Sequence, residues 1–178
     1  MDALSGALTE TKPAAGSWDL DALFLAQYPR VARIIKRVIR DPGRAEELAV
    51  EVFLRWARDG KAGAANAEPW LYRTAVRIAL NELRRQARQN RYEGLIGFRK
   101  SPATPEELHL VREEQERVRL LLNSMHRRQA ELLVLRSQGL SYDELAVALG
   151  LNPASVGTLL SRAQKAFRKE YIDRYGNE

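Results

Sequence analysis

The chain has 178 residues, 45% of them hydrophobic, with no cysteine and a formal net charge of +6. That length suits one medium domain or two small ones, and the apolar fraction supports a buried core rather than wholesale disorder. The missing cysteines exclude disulfides, thiolate metal sites and a cysteine nucleophile, and the positive balance points to an anionic partner, nucleic acid or a membrane surface.

No apolar run approaches the roughly 20 residues of a membrane span, so no membrane insertion is expected. Residues 1–16 lack the basic start and apolar centre of a secretory signal, and a reducing cytoplasm fits the composition. Strand signals are nearly absent, whereas apolar residues recur at helical spacing, so the fold class expected is all-α.

Residues 1–17 are rich in Ala, Gly, Ser and Thr and read as a loose N-terminal tail. A first helix, capped by Ser17 or Asp19, should run to about Ile39 with Leu23, Phe24, Tyr28, Val31, Ile35 and Val38 inward. Asp41-Pro42 suits the start of a second helix reaching about Arg58, with Leu48, Val52, Phe53 and Trp56 on its apolar face. Residues 59–67 are Gly/Ala-rich and read as a loop, followed by a third helix from about Glu68 to Arg91. Residues 92–105 hold two Gly and two Pro and read as a flexible linker. Helix should resume near Glu106 and run to about Asn123, followed by three short helices at roughly 127–137, 142–149 and 153–172. The expected organisation is therefore a first helical module over 18–91, a linker over 92–105 and a second module over 106–178.

The most informative stretch is Gly139-Leu-Ser-Tyr-Asp-Glu-Leu-Ala-Val-Ala-Leu-Gly150. Ser141 and Glu144 have the spacing of a capping box. Ala146 is small where a second helix must come close, and Gly150 stands where a tight turn demands positive φ. Asn152 can cap the next helix and Pro153 suits its first position. Along that helix Val156, Leu160, Ala163 and Phe167 share one face, opposite Ser155, Thr158, Arg162, Lys165 and Lys169. An apolar back, a small polar front with Ala154 and Ser155 at its tip, and flanking cations describe a helix-turn-helix recognition helix. A plain amphipathic hairpin with a solvated charged face is the alternative. The joint placement of Ala146, Gly150 and Val156 favours DNA binding.

In the third helix Arg73, Arg77 and Arg84 recur at i, i+4 and i+11, joined by Arg85, Arg88 and Arg91, with Glu82 the only nearby acid. Such a stripe can track a phosphate backbone. Trp70 and Tyr72 at its start can either stack on unpaired bases or pack in the core, and core packing is the stronger reading for Trp70. The second helix carries Glu46, Glu47 and Glu51, an acidic patch suited to a protein contact or to simple solvation. His109 and His126 lie outside any ligand-like cluster, and neither metal nor cofactor is expected.

In this order, these pieces resemble the extracytoplasmic-function (ECF) class of bacterial sigma factors, over about residues 20–171. Ala45-Glu-Glu-Leu-Ala-Val-Glu-Val-Phe-Leu54 resembles the segment that docks on the β′ clamp of core RNA polymerase. The resemblance thus implies a polymerase-facing or supporting role for Glu46, Glu47, Glu51 and Phe53. Trp70-Leu-Tyr-Arg-Thr-Ala75 through Leu83-Arg-Arg85 resembles the segment that melts and reads the −10 promoter element, implicating Trp70, Tyr72, Arg73, Arg77, Asn81, Arg84 and Arg85. Residues 59–67 would then capture a flipped non-template base.

Arg128-Gln129, Gly139-Leu-Ser-Tyr142, Glu144-Leu-Ala146, Leu149-Gly150 and Val156 resemble the −35-binding domain, with Asn152, Ala154, Ser155, Thr158, Arg162 and Lys165 toward DNA. The implied partners are core RNA polymerase (β′ clamp and β flap), promoter DNA and an anti-sigma factor, in the bacterial cytoplasm at the nucleoid. The chain departs from the family pattern at several positions. Val50 stands for Gln, Arg44 for Asp, Arg77 and Asn81 for Asn and Asp, Met125-His126 for Leu-Pro, and Gly157, Thr158 and Leu159 for Lys-Ser-Arg. These departures imply an uncommon promoter sequence and weaker −35 contacts. Two rivals remain open: a dimeric helix-turn-helix regulator that binds an operator, and a sigma-like decoy that sequesters an anti-sigma factor. An enzyme is not expected, because no phosphate-cradling loop, metal-spaced cluster or activated nucleophile is present.

Overall fold

A computed structural model describes residues 20–59, 67–96 and 106–176, of which 92–96 and 106–110 as backbone only. The expected N-terminal tail, most of the loop at 59–67 and residues 97–105 of the expected linker lie outside the described residues. Seven helices are described: α1 (Leu20–Val38), α2 (Pro42–Asp59), α3 (Ala67–Ile96), α4 (Glu106–Ser124), α5 (Arg127–Ser137), α6 (Tyr142–Leu149) and α7 (Pro153–Tyr175). They form two helical clusters, α1–α3 and α4–α7, joined by a less closely packed region. The all-α expectation holds.

Two helices run further than the sequence suggested. α3 continues to Ile96 rather than ending at Arg91, and α7 spans 23 residues rather than forming a short helix. Gly94 weakens a helix by only about 1 kcal/mol relative to Ala, which is not enough to stop one, and the first proline after it is Pro102.

In the first cluster the apolar stripes converge as the periodicity required. Val31, Ile34, Ile35 and Val38 of α1 meet Leu48, Val52, Phe53 and Trp56 of α2 and Leu71, Ala75, Ile78 and Ala79 of α3, all buried. Each fully buried Ile or Leu contributes roughly 2–3 kcal/mol relative to exposure, so these faces fix the arrangement of the three helices. Phe24, Tyr28 and Phe53 form an aromatic cluster, with Phe24 and Phe53 ring centroids 4.8 Å apart. Trp56 meets Trp70 edge-on at 5.2 Å, pinning the end of α2 to the start of α3. α2 begins as its sequence foretold: Asp41 Oδ1 accepts from the Arg44 amide at 3.1 Å, and Pro42 occupies the first helical position.

In the second cluster local capping sets the corners. His126 caps α5, its Nδ1 accepting from the Arg128 amide at 3.4 Å. Ser141 and Glu144 complete the capping box: the Ser141 hydroxyl accepts from the Glu144 amide (3.2 Å), and the Glu144 carboxylate accepts from the Ser141 amide (2.6 Å). The Ser141 amide, and next the Ser141 hydroxyl, hold the Glu144 carboxyl below its ordinary range, because hydrogen bonds to a carboxylate favour its ionised form.

Candidate nucleic-acid interface

The turn between α6 and α7 decides what α7 can reach. Gly150 adopts φ 62°, a left-handed conformation that costs a side chain-bearing residue energy. The Leu151 amide reaches back to the Ala146 carbonyl at 2.8 Å and the Gly150 amide to Val147, closing α6 in a Schellman turn. Arg128 of α5 donates to the Leu149 carbonyl at 3.0 Å, satisfying another group at that helix end. One residue on, Asn152 accepts from the Ala154 amide at 3.0 Å and Pro153 opens α7. The two helices are thereby joined through only three residues, Gly150 to Asn152, each held by a hydrogen bond of its own.

Seated this way, α7 buries Val156, Leu160 and Ala163 and packs Phe167 partly against the core. Asn152, Ala154, Ser155, Thr158, Arg162 and Lys165 are all exposed. The structure therefore brings the sequence-predicted front together on one open surface. Two family departures acquire a physical setting here. A β-carbon at Gly157 would stand 3.4 Å from the Tyr142 ring, so that ring already fills the space beside the helix. Leu159 turns partly inward, lining a cavity with His126, Arg128, Gln129, Leu132 and Arg162.

The arginine stripe of α3 divides. Asn81, Arg85, Arg88 and Arg91 are exposed, whereas Arg73, Arg77 and Arg84 are half-buried. Arg77 Nε donates to Glu131 Oε1 of α5 at 3.1 Å, and Arg84 reaches the Met125 carbonyl at 3.5 Å. The inward part of the stripe thus faces the second cluster rather than solvent. Arg73 stands beside Arg77, and burial followed by that like charge lowers its pKa from the ordinary guanidinium value.

Tyr72, expected at the −10 surface, lies in the core with 3% of its surface exposed. Its hydroxyl donates to Gln27 at 2.7 Å and Arg30 covers its ring, so neither ring face is open to a base. Trp70 is half-buried against Trp56. Phe53 is likewise in the core at 3% exposure, so of the two roles its segment implied, supporting α2 fits and direct contact does not. Tyr72 and Phe53 are buried for one reason: each falls on the apolar stripe of its helix.

The acidic patch on α2 is on the surface but already matched by neighbouring cations. Glu46 pairs with Lys36 (2.8 Å), Glu47 with Arg44 (2.8 Å) and Glu51 with Arg55 (2.6 Å). Such exposed pairs exchange readily for other partners. Val50 and Leu54 stand exposed among them (41% and 58%), giving a mixed acidic and apolar face that the charge pattern alone did not reveal.

Sequence reading missed Glu82 as an anchor. It is buried at the foot of the stripe, accepting from Arg85, Arg44 and Gln86. Its spacing from Arg85 and Gln86 was the available signal; Arg44, 38 residues away, gave none. That contact also accounts for an arginine at position 44.

No group of His, Cys, Asp or Glu able to hold a metal occurs among the described residues, and none of the described helices is long and apolar enough to cross a membrane.

A basic helix in one helical cluster and an exposed helix-turn-helix in the other define a two-part DNA-binding protein. Residues 23–89 match the family model for Sigma-70 region 2, and residues 115–167 match that for Sigma-70 region 4. The chain is 30% identical over 148 residues to the ECF RNA polymerase sigma factor SigK of Mycolicibacterium vanbaalenii, covering 79% of this chain and 75% of that one. SigK of Mycobacterium bovis is 30% identical over 180 residues, covering 89% and 95% respectively. SigE of Mycolicibacterium smegmatis is 27% identical over 176 residues, covering 96% and 67%. Among solved structures, the sigma factor RpoE of Bartonella quintana, in complex with the anti-sigma factor NepR, is similar at a TM-score of 0.48 and 22% identity, covering 87% of this chain and 97% of that one.

The chain belongs to the ECF family of RNA polymerase sigma factors. It is a non-catalytic protein whose general function is to bind RNA polymerase and recognise DNA.

Proposed function

We propose that the chain docks on the β′ clamp of core polymerase through α2 and directs it to promoters, reading the −10 element with α3 and the −35 element with α7. The observation that carries this reading is the coexistence in one chain of two basic surfaces suited to DNA, the first open to solvent and the second open only in part, at Asn81, Arg85, Arg88 and Arg91. One is the capped turn at Gly150 with Asn152, Ala154, Ser155, Thr158, Arg162 and Lys165 outward, and the other is the arginine-lined α3. Residues 18–91 form the polymerase and −10 module, residues 92–105 the linker, and residues 106–178 the −35 module that also meets the β flap. On α2, Glu46, Glu47 and Glu51 surround Val50 and Leu54, a surface suited to a protein rather than to nucleic acid. An anti-sigma factor is a further partner, and the working compartment is the bacterial cytoplasm.

The test uses holoenzyme reconstituted with Arg84→Gln plus Arg85→Gln. Gln is preferred to Glu because a carboxylate at position 85 would face Glu82. Core binding should persist while binding to promoter DNA, selected from a randomised library by the wild-type holoenzyme, is lost. Loss of both together would contradict the division of labour between α2 and α3.

A further inference from the structure

The exposed face of α1 is basic over its second half. Arg33, Lys36, Arg37 and Arg40 all reach solvent there, and no role described above uses them. Arg33, Lys36 and Arg37 form one wall of a cleft of about 570 Å³, and Gln115, Val118 and Arg119 of α4 form the other. That volume falls in the range of small-molecule sites, roughly 300–1,000 Å³.

The charges around the cleft do not balance. Glu46 meets Lys36 at 2.8 Å, but both groups are about half exposed, so the pair exchanges readily. Glu114 borders the cleft and is engaged elsewhere, accepting from the Tyr171 hydroxyl at 3.0 Å and pairing with Arg117 at 3.8 Å. Glu116 stands 3.7 Å from Arg119 and 3.9 Å from Arg40, too far to hydrogen-bond either. Arg33 and Arg37 have no ion-pair partner among the described residues.

A helix C-terminus attracts cations, which accounts for Lys36 and Arg37 in the last turn of α1 and for the Arg119 donation to the Val38 carbonyl at 3.0 Å. It does not account for Arg33, a full turn earlier. Arg33 and Arg37 are four residues apart, which sets their Cβ atoms about 5–6 Å from each other on the helix, and their like charges repel. An anion between them would remove that penalty. Across the cleft, burial lowers the pKa of the Arg119 guanidinium against the attraction of Glu116, and the like charge of Arg40 lowers it further.

We propose that the cleft between α1 and α4 binds a compact oligophosphate, the linked phosphates of a nucleoside polyphosphate or of inorganic polyphosphate, between Arg33 and Arg37 on one wall and Arg119 on the other. A single phosphate would fill only a small part of the cleft. A long nucleic-acid backbone suits it less, because Gln115 lies between Glu114 and Glu116 and a continuous strand would meet those carboxylates. The walls belong to different helical clusters, so occupancy fastens α1 to α4 and ties their contact to the concentration of the ligand.

The probe is ATP carrying a fluorescent N-methylanthraniloyl group, titrated into the full-length chain without divalent metal. Salt of about 0.15 M shortens the Debye length to about 8 Å and suppresses diffuse attraction to a basic protein. Binding should saturate as a single site, and unlabelled tripolyphosphate should displace the probe whereas adenosine should not. Arg33→Gln with Arg37→Gln removes cations from the α1 wall, and Gln115→Glu adds a carboxylate to the α4 wall. All three positions are exposed, and circular dichroism confirms that each variant is folded. Each variant should weaken binding about tenfold or more, since charge-assisted contacts are gained or lost directly at the ligand. Arg162→Gln with Lys165→Gln on α7 should leave it unchanged.

Tighter binding of ATP than of tripolyphosphate would identify a nucleotide as the ligand, and equal binding would identify the phosphate chain alone; both support the site. Absence of saturable binding, or failure of tripolyphosphate to compete, would overturn it. An equal loss in the α7 variant would overturn it too, by showing diffuse attraction to the whole chain. Weakening by the α1 pair but not by Gln115→Glu would put the ligand on the α1 face alone and overturn the cleft. None of these results bears on the promoter test on Arg84 and Arg85, which stands independently.

Discussion

Glu82 offers the sharpest energetic test of how α3 holds its arginines. Its carboxylate accepts from Arg85 (Nη2 2.6 Å, Nε 3.0 Å), from Arg44 (two contacts at 3.3 Å) and from Gln86 (3.1 Å), with only 5% of its surface exposed. The hydrogen bonds from Arg85, then those from Arg44, outweigh burial and hold the carboxyl down from 4.5 to about 2. At about 1.4 kcal/mol per tenfold in the ionisation equilibrium, that depression sets a ceiling near 3 kcal/mol. Arg44 and Arg85 remain 36% and 54% exposed, so solvent screening leaves about 1–2 kcal/mol. Because the folded carboxyl ionises below its unfolded counterpart, this stabilisation is complete above about pH 4.5 and is lost as pH falls from there toward 2. Urea unfolding followed by circular dichroism should therefore find Glu82→Gln weaker by about 1–2 kcal/mol at neutral pH, with most of the deficit gone by about pH 3. No deficit at neutral pH, or an undiminished one in acid, would refute the assignment of that energy to the charged carboxylate.

Other consequences concern the second module. Gly150→Ala meets no atom within 4 Å, so only backbone strain at φ 62° should register, about 1–2 kcal/mol in a denaturation midpoint. Arg162→Gln with Lys165→Gln should reduce the salt slope of duplex binding by about 2 on a log–log plot, while affinity for core polymerase stays unchanged. An unchanged slope would remove both residues from the phosphate contacts.

Much of the fold was legible because its determinants are local. The stripes of α1 and α2, the Asp41 and Asn152 caps, the Ser141–Glu144 box and the left-handed Gly150 each depend on residues within a few positions of one another. The α7 surface was legible for the same reason, since its buried and exposed faces follow directly from period and capping. The α3 surface was only half legible. Periodicity aligned Arg73, Arg77 and Arg84 but said nothing of what lies opposite, and Glu131 is 54 residues from the arginine it meets. Arg44 and Glu82, 38 residues apart, posed the same difficulty. Trp70 and Tyr72 illustrate a different ambiguity, because an aromatic at the edge of an apolar stripe satisfies core and base-stacking readings equally until its neighbours are known. The end of α3 was misplaced because one glycine reads as a breaker in sequence yet costs too little to break a helix with ordinary residues around it.

The most direct test is competition for core RNA polymerase. Purified full-length chain, titrated into core loaded with a labelled housekeeping sigma factor, should displace the label, and the α2 substitutions Val50→Glu with Leu54→Glu should weaken that displacement. A folded chain that leaves the label in place would contradict a polymerase-docking role for α2. It would favour instead a decoy for an anti-sigma factor or an operator-binding regulator.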